Sequence, residues 1–495
     1  MLRSMKEYTL RHPIIIIFLG SFTLRLIPEI LAGPWPLGFD TIRYYVPTML
    51  DWANGDFNPV HFNYYTPLCY FLLFSVYRVS GSVFFTLKFL GPLLYGLLCS
   101  SFLFFVNRGL GWNNKKGLVA AFLFSVYFLT LRISWDLYRN MLGLTFFFLF
   151  LPFLRKFDEL PRSRKFIASV LAILITLSHE ITSVIMFFVI FSGFALDFFK
   201  NKRLSKVLKL SLWFMPSLII LSFFVYSSAI MFHEVPGSLN YLATTSYSVL
   251  TSDVLILFFL IFGPLLPFAI LGFWRDRTLD SWSLICLLGS FWPILYPWFQ
   301  IIPWKRWMFM LWPPFAIYIV NGFDKLKMLE RKFASRNGLH IHLSKLALIL
   351  IIILGASIAY MVFPLNVTFS PHSTLDARLG HYIPGSMLCN TFPLADCDDF
   401  EKCFQYVNKR LNDSSVLIIH ESLTGWARLY VNEGKNVINY HSNSPLYGVS
   451  EAAGYETIYL IWWVDGYGWY GQKNLPECFE SVFNSSYVSV YIYRG

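Results

Sequence analysis

Residues 14–45 read IIIIFLGSFTLRLIPEILAGPWPLGFDTIRYY. The apolar run Ile14–Leu31 is close to the ~20 residues that cross a bilayer. It ends shortly before Gly38-Phe39-Asp40-Thr41-Ile42-Arg43-Tyr44-Tyr45, where the chain would emerge on the far side. The segment Met1–Pro13 ahead of it is basic, and no small-residue cleavage site follows, so a retained first span is expected rather than a signal peptide. A short carboxylate followed by an arginine and two tyrosines is a poor lipid anchor. It is a suitable start for a site that handles a phosphate and a sugar.

The rest of the chain has the same character. Of 495 residues, 56% are hydrophobic, 19% aromatic and only 14% charged, with mean hydropathy +0.53. That excess of apolar surface, arranged in span-length runs, excludes a soluble globular protein and predicts a polytopic α-helical membrane protein. Apolar runs near 13–32, 84–106, 117–133, 140–154, 166–178, 181–199, 208–231, 250–273, 282–298, 307–322 and 346–363 give about 11 transmembrane helices. The net charge of +11 does not imply a nucleic-acid partner, because the charges do not cluster on one surface. More than half of the 40 Lys and Arg fall in the N-terminal tail and in every second connection, as at Arg155–Lys165 and Lys325–Lys345. This is the positive-inside pattern, and it predicts a cytoplasmic N-terminus. No internal repeat is visible, which argues against a transporter built from inverted halves. Within the long first external connection, Ile42–Ala53 and Pro67–Tyr77 read as helices lying at the interface, with Pro47 kinking or starting the first.

After residue 363 the composition changes. In 364–495 acidic side chains outnumber basic ones, and the segment reads as a C-terminal external α/β domain following a membrane domain of 1–363. Strands are expected at Ser415–His420, Tyr455–Trp463 and Ser486–Tyr493, and a helix at Asp399–Leu411. Cys389, Cys397, Cys403 and Cys478 lie here, which in an external segment suggests one or two disulfides. Zinc is the rival, but paired C-x-x-C spacing is absent. The N-x-S/T sequons at Asn366, Asn412 and Asn484 fall in the same segment and agree with an external face.

Ionisable residues at span ends are expensive, and each is a functional candidate. On the external side these are Asp40, Arg43 and His61 in the first connection, then Asp136 and Arg139, His179-Glu180, His233-Glu234 and Lys305-Arg306. Structural readings stand beside the functional ones. Asp136 and Arg139 also fit an i,i+3 ion pair; Glu180 also fits a helix N-terminal charge. Lys305 and Arg306, next to Trp304 and Trp307, also fit interface anchors, and His233-Glu234 fits a solvated loop tip. Arg43 and Tyr44 fit either site lining or anchoring. The spans themselves read as largely uncharged. Taken together the external set suits transfer of a sugar from a lipid phosphate. Arg and Lys stabilise the leaving phosphate, and one carboxylate takes the proton of the incoming hydroxyl.

On Gly38-Phe39-Asp40, Trp135-Asp136-Leu137-Tyr138-Arg139-Asn140, Ser178-His179-Glu180 and Pro303-Trp304-Lys305-Arg306-Trp307-Met308, residues 1–363 resemble C-type (GT-C) membrane glycosyltransferases. The chain looks closer to the protein mannosyltransferase and lipid A aminoarabinose transferase branches. The resemblance implies a GT-C-like fold, a polyprenyl-phosphate sugar donor and an external protein, lipid or glycan acceptor. It also implies that Asp40 is the catalytic base, or a ligand to a divalent cation in some branches. Arg139, Lys305 and Arg306 would then hold the lipid phosphate, with Asp136, His179 and Glu180 shaping the sugar or acceptor pocket. Trp462-Trp463-Val464-Asp465-Gly466 resembles the oligosaccharyltransferase motif but carries an inserted Val, and reads as a strand end and turn. A transporter or flippase, or a receptor, for a lipid-linked glycan is the alternative function.

Overall fold

The computed structural model describes residues 12–56, 66–201, 211–226, 247–296, 304–337, 349–350, 353–354, 394–440, 444–464, 467–468, 471–472 and 475–495. His61, His233, Glu234, Asn366, Cys389 and nearly all of the run expected at 346–363 lie outside these residues.

The first span is α1 (Pro13–Leu31). A connection then leads through a π turn (Thr41–Tyr45) into α2 (Val46–Ala53), with Pro47 in its first turn as a starter. Helix α3 (Leu68–Ser80) closes on Gly81 in the left-handed region, and Ser82 then caps α4 (Val83–Phe104) through the Phe85 N–H at 3.3 Å. The helical unit continues with α5 (Asn114–Val126), α6 (Phe128–Asp136), α7 (Tyr138–Arg155), α8 (Arg162–Ser178), α9 (Glu180–Asn201) and α10 (Met215–Tyr226). It ends with α11 (Tyr247–Phe262), α12 (Leu266–Gly272), α13 (Arg277–Leu295) and α14 (Trp304–Asn337). Helix α1 packs on α4, α7 lies between α4 and α8, and α14 packs on α12 and α13.

Among the described residues, four helical stretches are long and apolar enough to cross a membrane: Pro13–Leu31, Val83–Gly109, Thr251–Gly272 and Arg277–Leu295. A fifth arises if α5 and α6 form one span, so eleven spans are not established. The expected continuous span at 117–133 is broken: Tyr127 is extended, and α5 and α6 meet at a bend of 58°. Uncharged span interiors are also not observed. Arg25 and Glu29 in α1 and Arg132 and Asp136 in α6 are all buried, and each couple is an i,i+4 ion pair. In Pro13–Leu31 the surrounding apolar residues keep the window average high in spite of the two charges.

The C-terminal unit carries α15 (Leu394–Asn408), β1 (Ser415–His420), α16 (Thr424–Tyr430), β2 (Val437–Tyr440), α17 (Leu446–Glu451), β3 (Thr457–Trp463), β4 (Tyr467–Gly468), β5 (Gly471–Gln472), β6 (Phe479–Asn484) and β7 (Val488–Tyr493). The sheet order is β2-β1-β3-β7-β6. β1 is parallel to β2 and β3, and the other pairings are antiparallel. Parallel neighbours need crossovers, supplied here by α16 and α17. Every residue of β1 is buried, as expected of a strand covered on both faces. The three expected strands and the expected helix are present, whereas β2 and β6 have weaker patterns and were missed. Among the described residues no disulfide joins Cys397, Cys403 and Cys478 to one another. Cys397 and Cys403 instead fill the core, and the Cys403 thiol faces the Val488 carbonyl at 3.5 Å. Trp463 ends β3 and its indole N–H donates to Asp396 (2.8 Å), a structural role for the first part of the WWVDG segment.

Candidate functional site

The site begins with the way the end of α1 is tied down. Arg25 Nη2 lies 2.6 Å from Glu29 Oε1, and its Nε donates to the Ser134 carbonyl at 3.0 Å. The second Glu29 oxygen accepts the Leu37 N–H (3.3 Å). Lys88, from α4, donates to the carbonyls of Glu29, Gly33 (2.7 Å) and Trp35 (3.0 Å). A buried ion pair offsets its desolvation only when further hydrogen bonds complete it, and here those bonds fix the entry to the first connection.

Gly38 follows, with φ +97. A Cβ there would lie 2.6 Å from the Asp136 Cβ and 2.7 Å from the Trp135 carbonyl, so only glycine allows the connection to press against the end of α6. Tyr45 seals the same junction: its hydroxyl donates to the Asp136 carbonyl (2.8 Å), and its ring stacks on Tyr138 at 5.3 Å. Between these two anchors Asp40 is half-buried at the start of the π turn. π turns are rare and recur at functional sites.

Asp40 lines a cavity of about 220 Å³ together with Tyr44, Tyr45, Tyr70, Leu137, Arg139, Asn140, His179, Glu180 and Arg306. Residues from the first connection, the α6–α7 break, the α8–α9 break and the start of α14 therefore converge. Leu137 and His179 are the non-helical residues at the two breaks, which turns the first residues of α7 and α9 towards one another. Arg139 forms an ion pair with Glu180, and its Nε donates to Thr66 Oγ1 (3.0 Å). The Thr66 hydroxyl donates to the Ser178 carbonyl (2.8 Å). His179 Nδ1 accepts the Thr182 N–H (3.3 Å), which fixes the imidazole at the start of α9. Arg306 has no ion pair or hydrogen bond within the described residues, yet its charge acts on Asp40. Burial pushes the Asp40 carboxyl up to about 7, and the neighbouring Asp136 adds to this, against Arg306, Arg132 and Arg43.

Six of the expected site residues thus share one cavity: Asp40, Tyr44, Arg139, His179, Glu180 and Arg306. Three others lie elsewhere. Asp136 is buried beneath the cavity in a 2.6 Å ion pair with Arg132, not with Arg139. Arg43 turns away to Glu421 of the C-terminal unit (2.9 Å). Lys305 does not line the cavity and places its ammonium 5.6 Å from the Trp304 ring centroid. Asn140 was missed as a site residue. It is 2% exposed, lines the cavity, and among the described residues neither its Oδ1 nor its Nδ2 has a hydrogen-bond partner. A buried amide opening a membrane helix is itself a signal.

Among the described residues no group of three or more His, Cys, Asp or Glu is placed to hold a metal ion. Among the described residues Asp136 is held by Arg132 and Glu180 by Arg139, which leaves Asp40 no uncommitted carboxylate beside it, a donor set that does not fit a divalent cation.

No family model matches the chain, and no curated protein matches it. Solved structures do. ArnT from Cupriavidus metallidurans bound to undecaprenyl phosphate aligns with TM-score 0.53, covering 97% of each chain at 12% identity. The fold is ArnT-like. The apo state of the same ArnT aligns with TM-score 0.51, again over 97% of each chain, at 14% identity. The likeness runs through both the helical unit and the C-terminal unit. At this identity it concerns the fold, and the assignment of chemistry depends on the cavity.

Proposed function

We propose that this protein is an integral-membrane GT-C glycosyltransferase that transfers a sugar from a polyprenyl-phosphate donor to an acceptor at the external membrane face. The observation that carries the reading is the convergence of one carboxylate, Asp40, and one cation outside any ion pair among the described residues, Arg306, on a single cavity in an ArnT-like fold. One of those ArnT structures is bound to undecaprenyl phosphate.

In the proposed reaction an acceptor hydroxyl attacks the anomeric carbon as its proton passes to Asp40. The bond from that carbon to the phosphate oxygen breaks, and the lipid phosphate leaves with the electron pair. A phosphate leaving group needs no proton, so one carboxylate suffices and the two-carboxylate hydrolase plan is not required. Arg306 supplies charge to the leaving phosphate. Arg139 is committed to Glu180 and Thr66 and serves as the wall of the sugar pocket, with Asn140 and His179 beside it. Tyr44 lines the same space. A carboxyl raised to about 7 is well matched to general base work near neutral pH. We divide the chain into a membrane domain, 1–363, and an external domain, 364–495.

A flippase or a glycan receptor would use the same basic groups without chemistry. The buried charges inside the helices do not favour transport, because Arg25–Glu29 and Arg132–Asp136 are each neutralised within one helix, and Arg25 and Glu29 are also bonded to the Ser134 carbonyl and the Leu37 N–H. The deciding experiment is Asp40→Asn in purified membranes supplied with polyprenyl-phosphate sugars. Loss of polyprenyl phosphate release of about a hundredfold or more, with normal expression, is expected for a missing base; full retention overturns the role of Asp40.

A further inference from the structure

The connection that carries Asp40 is held between two bodies. Gly38 and Tyr45 belong to the helical side, as described above. Trp35, Phe39 and Ile42 instead complete the core of the C-terminal unit, together with Phe400 and Trp426. The Trp35 indole N–H donates to Asp398 at 2.7 Å, and its ring lies 5.4 Å from that of Trp426. At the carboxyl end of β1, Glu421 meets Arg43 at 2.9 Å, with the two side chains only 12% and 25% exposed. The Arg43 guanidinium in turn sits 4.7 Å from the Tyr44 ring centroid. Gly425, in the first turn of α16, is pressed against the π turn so closely that a Cβ there would lie 1.7 Å from the Ile42 carbonyl oxygen.

Within six consecutive residues the contacts divide between two sides. Phe39, Ile42 and Arg43 face the C-terminal unit, and Asp40 and Tyr44 face the cavity. The loop after β1 also leaves the sheet where parallel neighbours diverge to either side, the place where open α/β sheets commonly take a ligand. Here that loop grips the aspartate-bearing turn.

Building on the function proposed above, we infer that the C-terminal unit is the positioning element of the catalytic turn. Glu421, through Arg43, and Gly425, against Ile42, hold the π turn so that Asp40 and Tyr44 stay on the cavity. Glu421 and Gly425 are positioning residues. The ion pairs further along the same junction, such as Arg428–Asp51 (2.8 Å), hold α2 and not the turn.

The test uses the full chain in detergent, comparing wild type with Glu421→Gln, Gly425→Ala and Arg428→Ala. Two readouts are taken: hydrogen exchange at residues 39–46, and turnover of a polyprenyl-phosphate sugar that the wild type accepts. Glu421→Gln is expected to speed exchange in the turn and lower kcat by about tenfold or more, with KM for the lipid donor and the unfolding midpoint little changed. Gly425→Ala, which removes no charge, does the same by displacing Ile42, while Arg428→Ala leaves both readouts at wild-type values. Unchanged exchange in both Glu421→Gln and Gly425→Ala overturns the inference, as does an equal loss in Arg428→Ala. If the wild type turns over no such donor, the enzymatic reading fails while hydrogen exchange still decides the positioning role.

Discussion

At the residue scale the proposed function turns on Asp40. Its carboxyl is raised to about 7 by burial and by Asp136, so at acid pH it holds a proton and is no longer a base. The sign follows directly: kcat/KM is expected to rise with pH through an acid limb near 7 and then level off. In Arg43→Gln one of the opposing positive charges is gone, and the limb moves to higher pH. A pH–rate profile of the two proteins across neutrality checks both statements, and a limb near the ordinary carboxylate range refutes them. Asp40 was legible in the chain because a short carboxylate just past a span has no local use. The alternative i,i+3 pairing of Asp136 with Arg139 is not the one found, for an equally local reason: Arg139 stands one turn after it in sequence, but the break at Leu137 separates them, and Arg132, one turn before it in α6, is its partner.

At the scale of elements, the packing of the first connection against the end of α6 depends on Gly38. Gly38→Ala combines an unfavourable positive φ with two backbone-level overlaps, a cost of about 2–4 kcal/mol. A lowered unfolding midpoint together with reduced turnover is expected, and wild-type values for both would show that the contact yields easily. The long elements followed their patterns. β1 runs from Ser415 to His420 as read from its apolar run, and α1, α4 and α13 cover their apolar windows. The breaks at Leu137 and His179 fall between apolar runs, whereas the one at Tyr127 lies inside the run 117–133 and has no signal in an unexceptional residue. Those breaks are what aim Arg139, Asn140 and Glu180 at one point.

At the scale of the whole molecule, the cavity lies at the Tyr138 end of α7, whereas Arg155 and Lys156 lie at its other end, about 26 Å away at 1.5 Å per residue. Arg155 there grips Asp276 at 2.6 and 2.8 Å, and Lys116 meets Asp324 at 3.0 Å. Basic residues thus gather opposite the cavity, which suits a cytoplasmic end. With Cys478 replaced by Ser, Arg494→Cys is expected to react with an impermeant maleimide in intact cells. Lys156→Cys is expected to react only after permeabilisation, and the reverse pattern overturns the proposed orientation.

By itself, the sequence determined that the chain is a helical membrane protein with a C-terminal α/β unit, and that charge accumulates at the span ends. Composition and periodicity act locally, and lipid penalises every stray charge, so these properties are written along the chain. Tertiary structure decided which charges pair and which line the cavity. It paired Arg139 with Glu180, turned Arg43 towards Glu421, and brought Arg306 and Asp40 to one cavity lined by Asn140. Partner choice among buried charges depends on distances between segments far apart in sequence, set by helix breaks and by close approaches at Gly38 and Gly425. No local pattern encodes those distances.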